Sequence, residues 1–229
     1  SMPQSTIPSL FLLIFSLLTS LNTAIADTST ALVAMEDSQN PLIRISTSKG
    51  EMYLELYPLE APNNVENFIA LAEGEKEFTN LKTGEPIQSR YYNGMRFHRV
   101  VPGFIIQAGS PANNLLGLQV NLLDDEINAN ALGLDQILAL NSDGSFADVL
   151  NIESKPDFHE EILTPLYSQR NITDVEAVLS RQYQVLEILQ DLSVKSVYEN
   201  QGYRYDDSLP GRPIERGTVA LANSGPDSN

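Results

Sequence analysis

The chain has 229 residues, enough for one sizeable domain or a domain carrying an insertion, and 42% of them are hydrophobic. A net charge of −16 argues against a nucleic-acid binder, since phosphate contact needs clustered Lys and Arg; acidity of this kind first of all favours solubility. Cysteine is absent, which excludes disulfides, thiolate catalysis and zinc–thiolate sites; only His98 and His159 offer imidazole, with no second ligand at metal spacing, so no metal or other cofactor is expected.

Residues 1–26 carry no charged side chain. Ile7 to Leu21 is apolar, broken by Pro8, Ser9, Ser16 and Thr19, and Ala24-Ile25-Ala26 stands ahead of Asp27 as a small-residue cleavage pattern. This predicts a secretory signal peptide cut after Ala26 and an exported, periplasmic mature protein. No Lys or Arg precedes the apolar run, and a membrane anchor is the rival reading, although the run falls short of the roughly 20 residues that a bilayer needs.

Residues 27–40 read as a flexible lead-in. Leu42 to Ser46 and Met52 to Tyr57 alternate apolar and polar around Ser48-Lys49-Gly50, which predicts a hairpin with one buried face. Pro62 and Asn63-Asn64 offer a helix start with Asn as N-cap; Val65, Phe68, Ile69 and Ala72 recur at helical spacing, and Gly74 ends the helix. Glu75 to Arg90 is charged and turn-rich and is expected to be a surface loop. A second hairpin follows: Phe97 to Val101, the turn dipeptide Pro102-Gly103, and Phe104 to Gln107, closed by Gly109 to Pro111. Arg99 sets an always-charged, five-donor fork a turn away from Phe104 and Gln107, a combination able to hold and perturb a peptide bond.

From residue 128 to 210 the pattern is mainly helical. Ala131 to Leu140 is a short apolar helix candidate, and Thr173-x-x-Glu176 is a capping box. After it Val175, Val178, Leu179, Leu186, Leu189 and Leu192 keep one face apolar through about Val197, and Gly202 stops the helix. Such a stripe packs on its own domain or, in the sharper reading, docks a partner protein.

Three stretches, in this order, resemble the cyclophilin-type peptidyl-prolyl isomerases, of the bacterial exported type. They are Gly50 to Tyr57 followed by Ala61-Pro62 and Val65-Glu66-Asn67-Phe68; Phe97-His98-Arg99-Val100-Val101-Pro102-Gly103-Phe104-Ile105-Ile106-Gln107-Ala108-Gly109; and Gly217 to Asn229. The resemblance covers residues 42–111 and 212–229, and Asp124-Asp125-Glu126-Ile127 is similar to an acidic step between them. It implies a mainly β fold with helices: an antiparallel β-barrel, in two parts at 41–127 and 211–229 with a strand at Thr218, interrupted by a helical insertion at 128–210. Only the first five of eight strands are covered. The later strands and second helix are missing, so the chain is expected to be a truncated piece of a longer product, marginally stable or prone to aggregate.

The activity implied for the full-length product is rotation about X–Pro bonds during the folding of exported proteins, with proline-containing polypeptides as substrates and no nucleic acid; this stretch alone is expected to bind proline peptides poorly and to catalyse slowly or not at all. By resemblance, Arg99 is the catalytic donor, Phe104 and Ile105 line the proline pocket, Gln107 hydrogen-bonds the substrate backbone, and Ala222 and Asn223 pair with an extended substrate. His98 is expected to orient the hairpin, because the reaction moves no proton. Each has a plainer reading: an ion pair for Arg99, core packing for Phe104 or Ile105, an edge residue for Gln107, a turn for Asn223. Ala108 and Ser110 depart from the family pattern, as does Ala112 to Leu118 where a glycine-rich loop is usual, and these departures bear on substrate preference. The alternative is a catalytically weak binding module whose helical insertion docks a partner; oligomeric state is left open.

Overall fold

The computed structural model describes residues 27–80, 82–114 and 121–228. The signal-peptide reading of residues 1–26 and the departure at 115–118 lie outside the described residues, as does Asn229.

The alternating segment after Pro41 forms the first hairpin as expected. Strands β1 (Leu42–Thr47) and β2 (Gly50–Glu55) pair antiparallel from Leu42↔Glu55 to Thr47↔Gly50. The lead-in contains a helix, α1 (Thr28–Ala34), whose N-cap Asp27 accepts from the Thr30 amide at 2.7 Å. The Glu55 carboxylate gathers the next stretch, accepting from the amides of Glu36 and Asp37 at 2.8 and 3.0 Å. The Arg212 guanidinium lies 3.6 Å over the Tyr57 ring and pairs with Glu36 at 2.9 Å and Glu60 at 3.3 Å.

Helix α2 (Pro62–Glu73) has Pro62 in its first turn and ends at Gly74, whose φ of +79° only glycine adopts at little cost. A Cβ there would also stand 3.0 Å from the Ser89–Arg90 backbone. The expected Asn cap is not found: the N-cap is Ala61, and no side chain of its own caps the helix. The cap arrives from Glu126, far along the chain. Its Oε1 accepts from the Asn63 amide and Nδ2 at 2.9 and 2.7 Å, and its Oε2 from those of Asn64 at 2.9 and 2.7 Å. A carboxylate at a helix N-terminus satisfies amides that the helix cannot and sits at the positive end of its dipole.

The charged stretch expected to be a loop holds a short hairpin, β3 (Glu77–Thr79) against β4 (Pro86–Gln88), that turns Phe78 inward. Phe78 joins Leu71 of α2 and Tyr91 in a buried cluster, with Ile87, Tyr92 and Met95 against it. Three residues per strand are too few for an alternation to emerge from flanking charge.

Strands β5 (Arg99–Val101) and β6 (Ile105–Gln107) make the third hairpin. The three hairpins are separate two-stranded sheets, so the expected barrel is not closed among the described residues. The strand expected at Thr218 is also not formed. Val219 and Leu221 alternate as a strand would, but no neighbour pairs with them and both are exposed.

The helix expected over 131–140 is instead a series of turns, because Gly133 takes a φ of +73° and the Asn128 side chain captures the Ala131 amide at 2.8 Å. Helix α3 (Lys155–Phe158) starts at a capping box of Ser154 and Asp157 and continues through a π-helical turn, His159–Leu163, into α4 (Thr164–Gln169). Pro165 explains the wide turn: it has no N–H for the Glu161 carbonyl, which instead accepts from Gln201 Nε2 at 2.8 Å.

Helix α5 (Val175–Asp191) is capped by Asp174, whose carboxylate accepts from Ala177 N at 2.8 Å, and not by Thr173. The expected run through Val197 is broken at Leu192, and Ser193 caps a separate α6 (Val194–Asn200). Two cores result: Ala139, Ile162, Leu192 and Val197 in one, Leu166, Ile172 and Val185 in the other. Val178 and Leu189 pack inward as expected, whereas Val175, Leu179 and Leu186 are exposed.

Candidate functional site

The β5–β6 hairpin turns at Pro102-Gly103, where Gly103 takes a φ of +74° and the Phe104 amide donates to the Val101 carbonyl at 3.1 Å. Its register pairs Arg99↔Gln107, Val100↔Ile106 and Val101↔Ile105. Directly opposed residues share a face of an antiparallel ladder, and neighbours alternate. Arg99, Gln107, Val101 and Ile105 therefore stand on one face, Val100 and Ile106 on the other. Among the described residues the Arg99 guanidinium makes no hydrogen bond or ion pair, so the surface-ion-pair alternative is not what the structure holds. A fork of five donors is left facing solvent beside the half-buried Gln107 and Ile105.

Phe104 lies at the turn itself, and the residue is 77% exposed. It is not core, and it stands as an open apolar surface at the tip. The His98 amide donates to the Gln107 carbonyl at 3.0 Å, one residue out of step with the ladder, and its ring is exposed. That backbone bond is a hairpin-ordering contact just ahead of Arg99.

Ala222 and Asn223 are exposed and belong to no strand. Among the described residues no backbone hydrogen bond or strand pairing joins 218–223 to the β5–β6 hairpin. The turn that follows them is nevertheless held. The amides of Asp125 and Asp227 donate to each other's carboxylates at 3.1 and 3.0 Å, and Arg204 Nη2 donates to Asp227 Oδ2 at 3.1 Å. The acidic step at 124–126 thus ties the start of α2 to the last described turn.

Three residues that hold the hairpin were given no such role by sequence reasoning: Tyr91, Tyr92 and Asn114. The Tyr91 amide donates to the Leu71 carbonyl at 2.9 Å, and its hydroxyl to the Gly109 carbonyl at 3.1 Å. Asn114 Nδ2 donates to the Tyr91 carbonyl at 3.0 Å. The Tyr92 ring lies 5.0 Å from Phe68 of α2, and a Cβ on Gly109 would come within 3.1 Å of it. Burial, with the Tyr91 hydroxyl beside it, pushes the Tyr92 phenol above its usual range, so it stays neutral. The signal was the aromatic pair itself, immediately before the hairpin. Among the described residues no group of three or more His, Cys, Asp or Glu could hold a metal ion.

The family described as cyclophilin type peptidyl-prolyl cis-trans isomerase/CLD matches residues 42–229. The chain is 44% identical over 73 residues to peptidyl-prolyl cis-trans isomerase B of Streptomyces anulatus, covering 32% of this chain and 42% of that protein. It is 41% identical over 87 residues to peptidyl-prolyl isomerase CWC27 of Cryptococcus neoformans, 38% of this chain and 14% of that one. It is 36% identical over 67 residues to peptidyl-prolyl cis-trans isomerase A of Mycobacterium tuberculosis, 29% of this chain and 37% of that one. These matches span less than half the length of each relative. No solved structure matches.

Proposed function

The chain belongs to the cyclophilin-type peptidyl-prolyl cis-trans isomerase family, and we propose that it accelerates rotation about X–Pro bonds in polypeptides, with Arg99 as the catalytic group. The uncatalysed rotation crosses a barrier of roughly 18–20 kcal/mol because the amide must lose its resonance. As it twists, the prolyl nitrogen becomes pyramidal and basic. A donor aimed at that nitrogen binds the twisted state more strongly than either planar one, which is what lowers a barrier. The observation that carries this reading is the unengaged Arg99 guanidinium, placed across from Gln107 and on the same face as Ile105.

In this reading Gln107 hydrogen-bonds the substrate backbone, Phe104 and Ile105 grip the proline ring, and His98 sets the hairpin through its backbone. Ala222 and Asn223 approach once an extended substrate lies between them and β5. The substrates are exported polypeptides, and the support for that is the uncharged, apolar stretch 1–26 with its Ala24-Ile25-Ala26 boundary. A periplasmic product whose N-terminal sequence does not begin at Asp27 removes that support. The test of catalysis is proline isomerisation by the full chain against Arg99→Ala, with a loss of about 10²-fold or more expected. Arg99→Lys is not expected to restore the rate, because an ammonium lacks the planar fork. Equal rates in Arg99→Ala refute the assignment.

A second reading has its own observation. The helical residues 128–210, read as an insertion, expose apolar side chains of α5, which favours a binding module whose insertion docks a partner.

A further inference from the structure

Helix α5 has two apolar arcs, and among the described residues only one is packed against a core. At about 100° per residue, Val178, Val185, Ile188, Leu189 and Leu192 face the cores, while Val175, Leu179, Tyr183 and Leu186 cluster within an arc of about 80° beside them. The second group is 75, 61, 76 and 55% exposed, respectively. An unpartnered stripe over three turns of a 17-residue helix is more than the scattered exposed leucine of an ordinary surface.

The border of the stripe carries one sign of charge. Glu176 and Glu187 flank its outer edge, with Asp191 beyond them, all exposed. The one cation of α5, Arg181, lies on the far side and donates from Nη1 to the Arg170 carbonyl at 3.0 Å. A second copy of the chain is opposed by this border, because pairing α5 antiparallel with itself sets Glu187 beside Asp174 and Glu176 of the other copy. An anionic lipid surface is opposed for the same reason. Deepening the partner-docking reading above, we infer that the outer arc of α5 docks a basic amphipathic helix of another polypeptide, whose apolar face covers Val175, Leu179, Tyr183 and Leu186 and whose cations meet Glu176 and Glu187.

The test titrates the full chain with two synthetic amphipathic helical peptides sharing one leucine face, the polar face being lysine in one and glutamate in the other. The lysine peptide binds and the glutamate peptide does not; equal binding overturns the inference. Leu179→Asp with Tyr183→Asp adds negative charge but removes apolar surface, and is expected to weaken the lysine peptide by at least about tenfold. Undiminished binding shows bulk attraction alone and overturns it. Glu176→Lys with Glu187→Lys leaves the stripe intact and is expected to reverse the preference between peptides; an unchanged preference overturns it. A dimer in light scattering that the aspartate pair abolishes, without peptide binding, assigns the stripe to a second copy and overturns it. Peptide binding seen only after deletion of residues 1–26 assigns the stripe to the chain's own leader and likewise overturns it. Arg99→Ala keeps peptide binding, so a protein that binds the peptide but isomerises nothing leaves this inference standing while the isomerase reading falls.

Discussion

The β5–β6 hairpin, where the catalytic group is proposed, and the helical region of residues 128–210 differ in how they are packed. The hairpin has six paired residues, and Val100, Val101 and Ile106 among them are exposed, as is Phe104 at its tip. What holds it lies at its base: Tyr91, Tyr92 and Asn114, set against α2. The helical region buries Ile162, Leu166, Val194 and Val197 almost completely. A functional strand presents side chains to a substrate and leaves them wet; a core hides them. The family motif is thus the less packed of the two regions, and the part without a motif is the better packed.

The largest effect that tests this contrast is on stability. Leu166→Ala removes a fully buried side chain at the centre of the second core, and a loss of roughly 2–5 kcal/mol is expected from urea unfolding. Phe104→Ala removes a bigger side chain, yet one exposed at the hairpin tip, and is expected to stay within about 0.5 kcal/mol. If Phe104→Ala costs as much as Leu166→Ala, the ring is buried in solution and the division fails.

Between the two regions stands Glu126, which caps α2 and so steadies the helix against which Tyr92 packs. Burial raises its carboxyl, but hydrogen bonds from the amides and side chains of Asn64 and Asn63 outweigh that and hold it below the usual glutamate range. Its folded-state value is therefore lower than its unfolded one. The stabilisation is fully present above the unfolded value and is lost as pH falls through the folded value. Glu126→Gln is expected to cost about 1 kcal/mol at neutral pH, within the helix-dipole range. The gap to the parent protein closes on acidification. Urea midpoints from neutral to acid pH check both; a gap that widens toward acid would reverse the sign argued here.

Local chemistry was legible in the sequence, and long-range chemistry was not. The hairpins at 42–55 and 99–107 and the helix at 62–73 follow from alternation, a Pro-Gly turn and a terminal glycine, each complete within a dozen residues or so. The Glu126 cap joins positions 63 residues apart, and nothing local to Asn63 announces its acceptor. The motif named Arg99, Ile105 and Gln107, and the β5–β6 ladder sets these three on one face. The placing of Ala222 and Asn223 depends on a strand that finds no partner among the described residues. On α5 the error was of arcs. Apolar residues on adjacent faces merge into one stripe when only their periodicity is read, and only the position of the cores separates Leu179 from Val185.

The smallest expected effect distinguishes two adjacent side chains at the start of α5. Thr173 and Glu176 satisfy the spacing of a capping box, but Asp174 is extended, with φ −143° and ψ 170°, and its carboxylate bonds the Ala177 amide. An aspartate there fills an orphan donor and adds negative charge at the positive end of the dipole; a threonine one step earlier does neither. Asp174→Ala is expected to cost about 1 kcal/mol in urea unfolding, and Thr173→Ala only a few tenths. The loss should fall on the helical region alone, leaving the isomerase activity proposed for the hairpin unchanged. A larger loss from Thr173→Ala would move the helix start back by one residue.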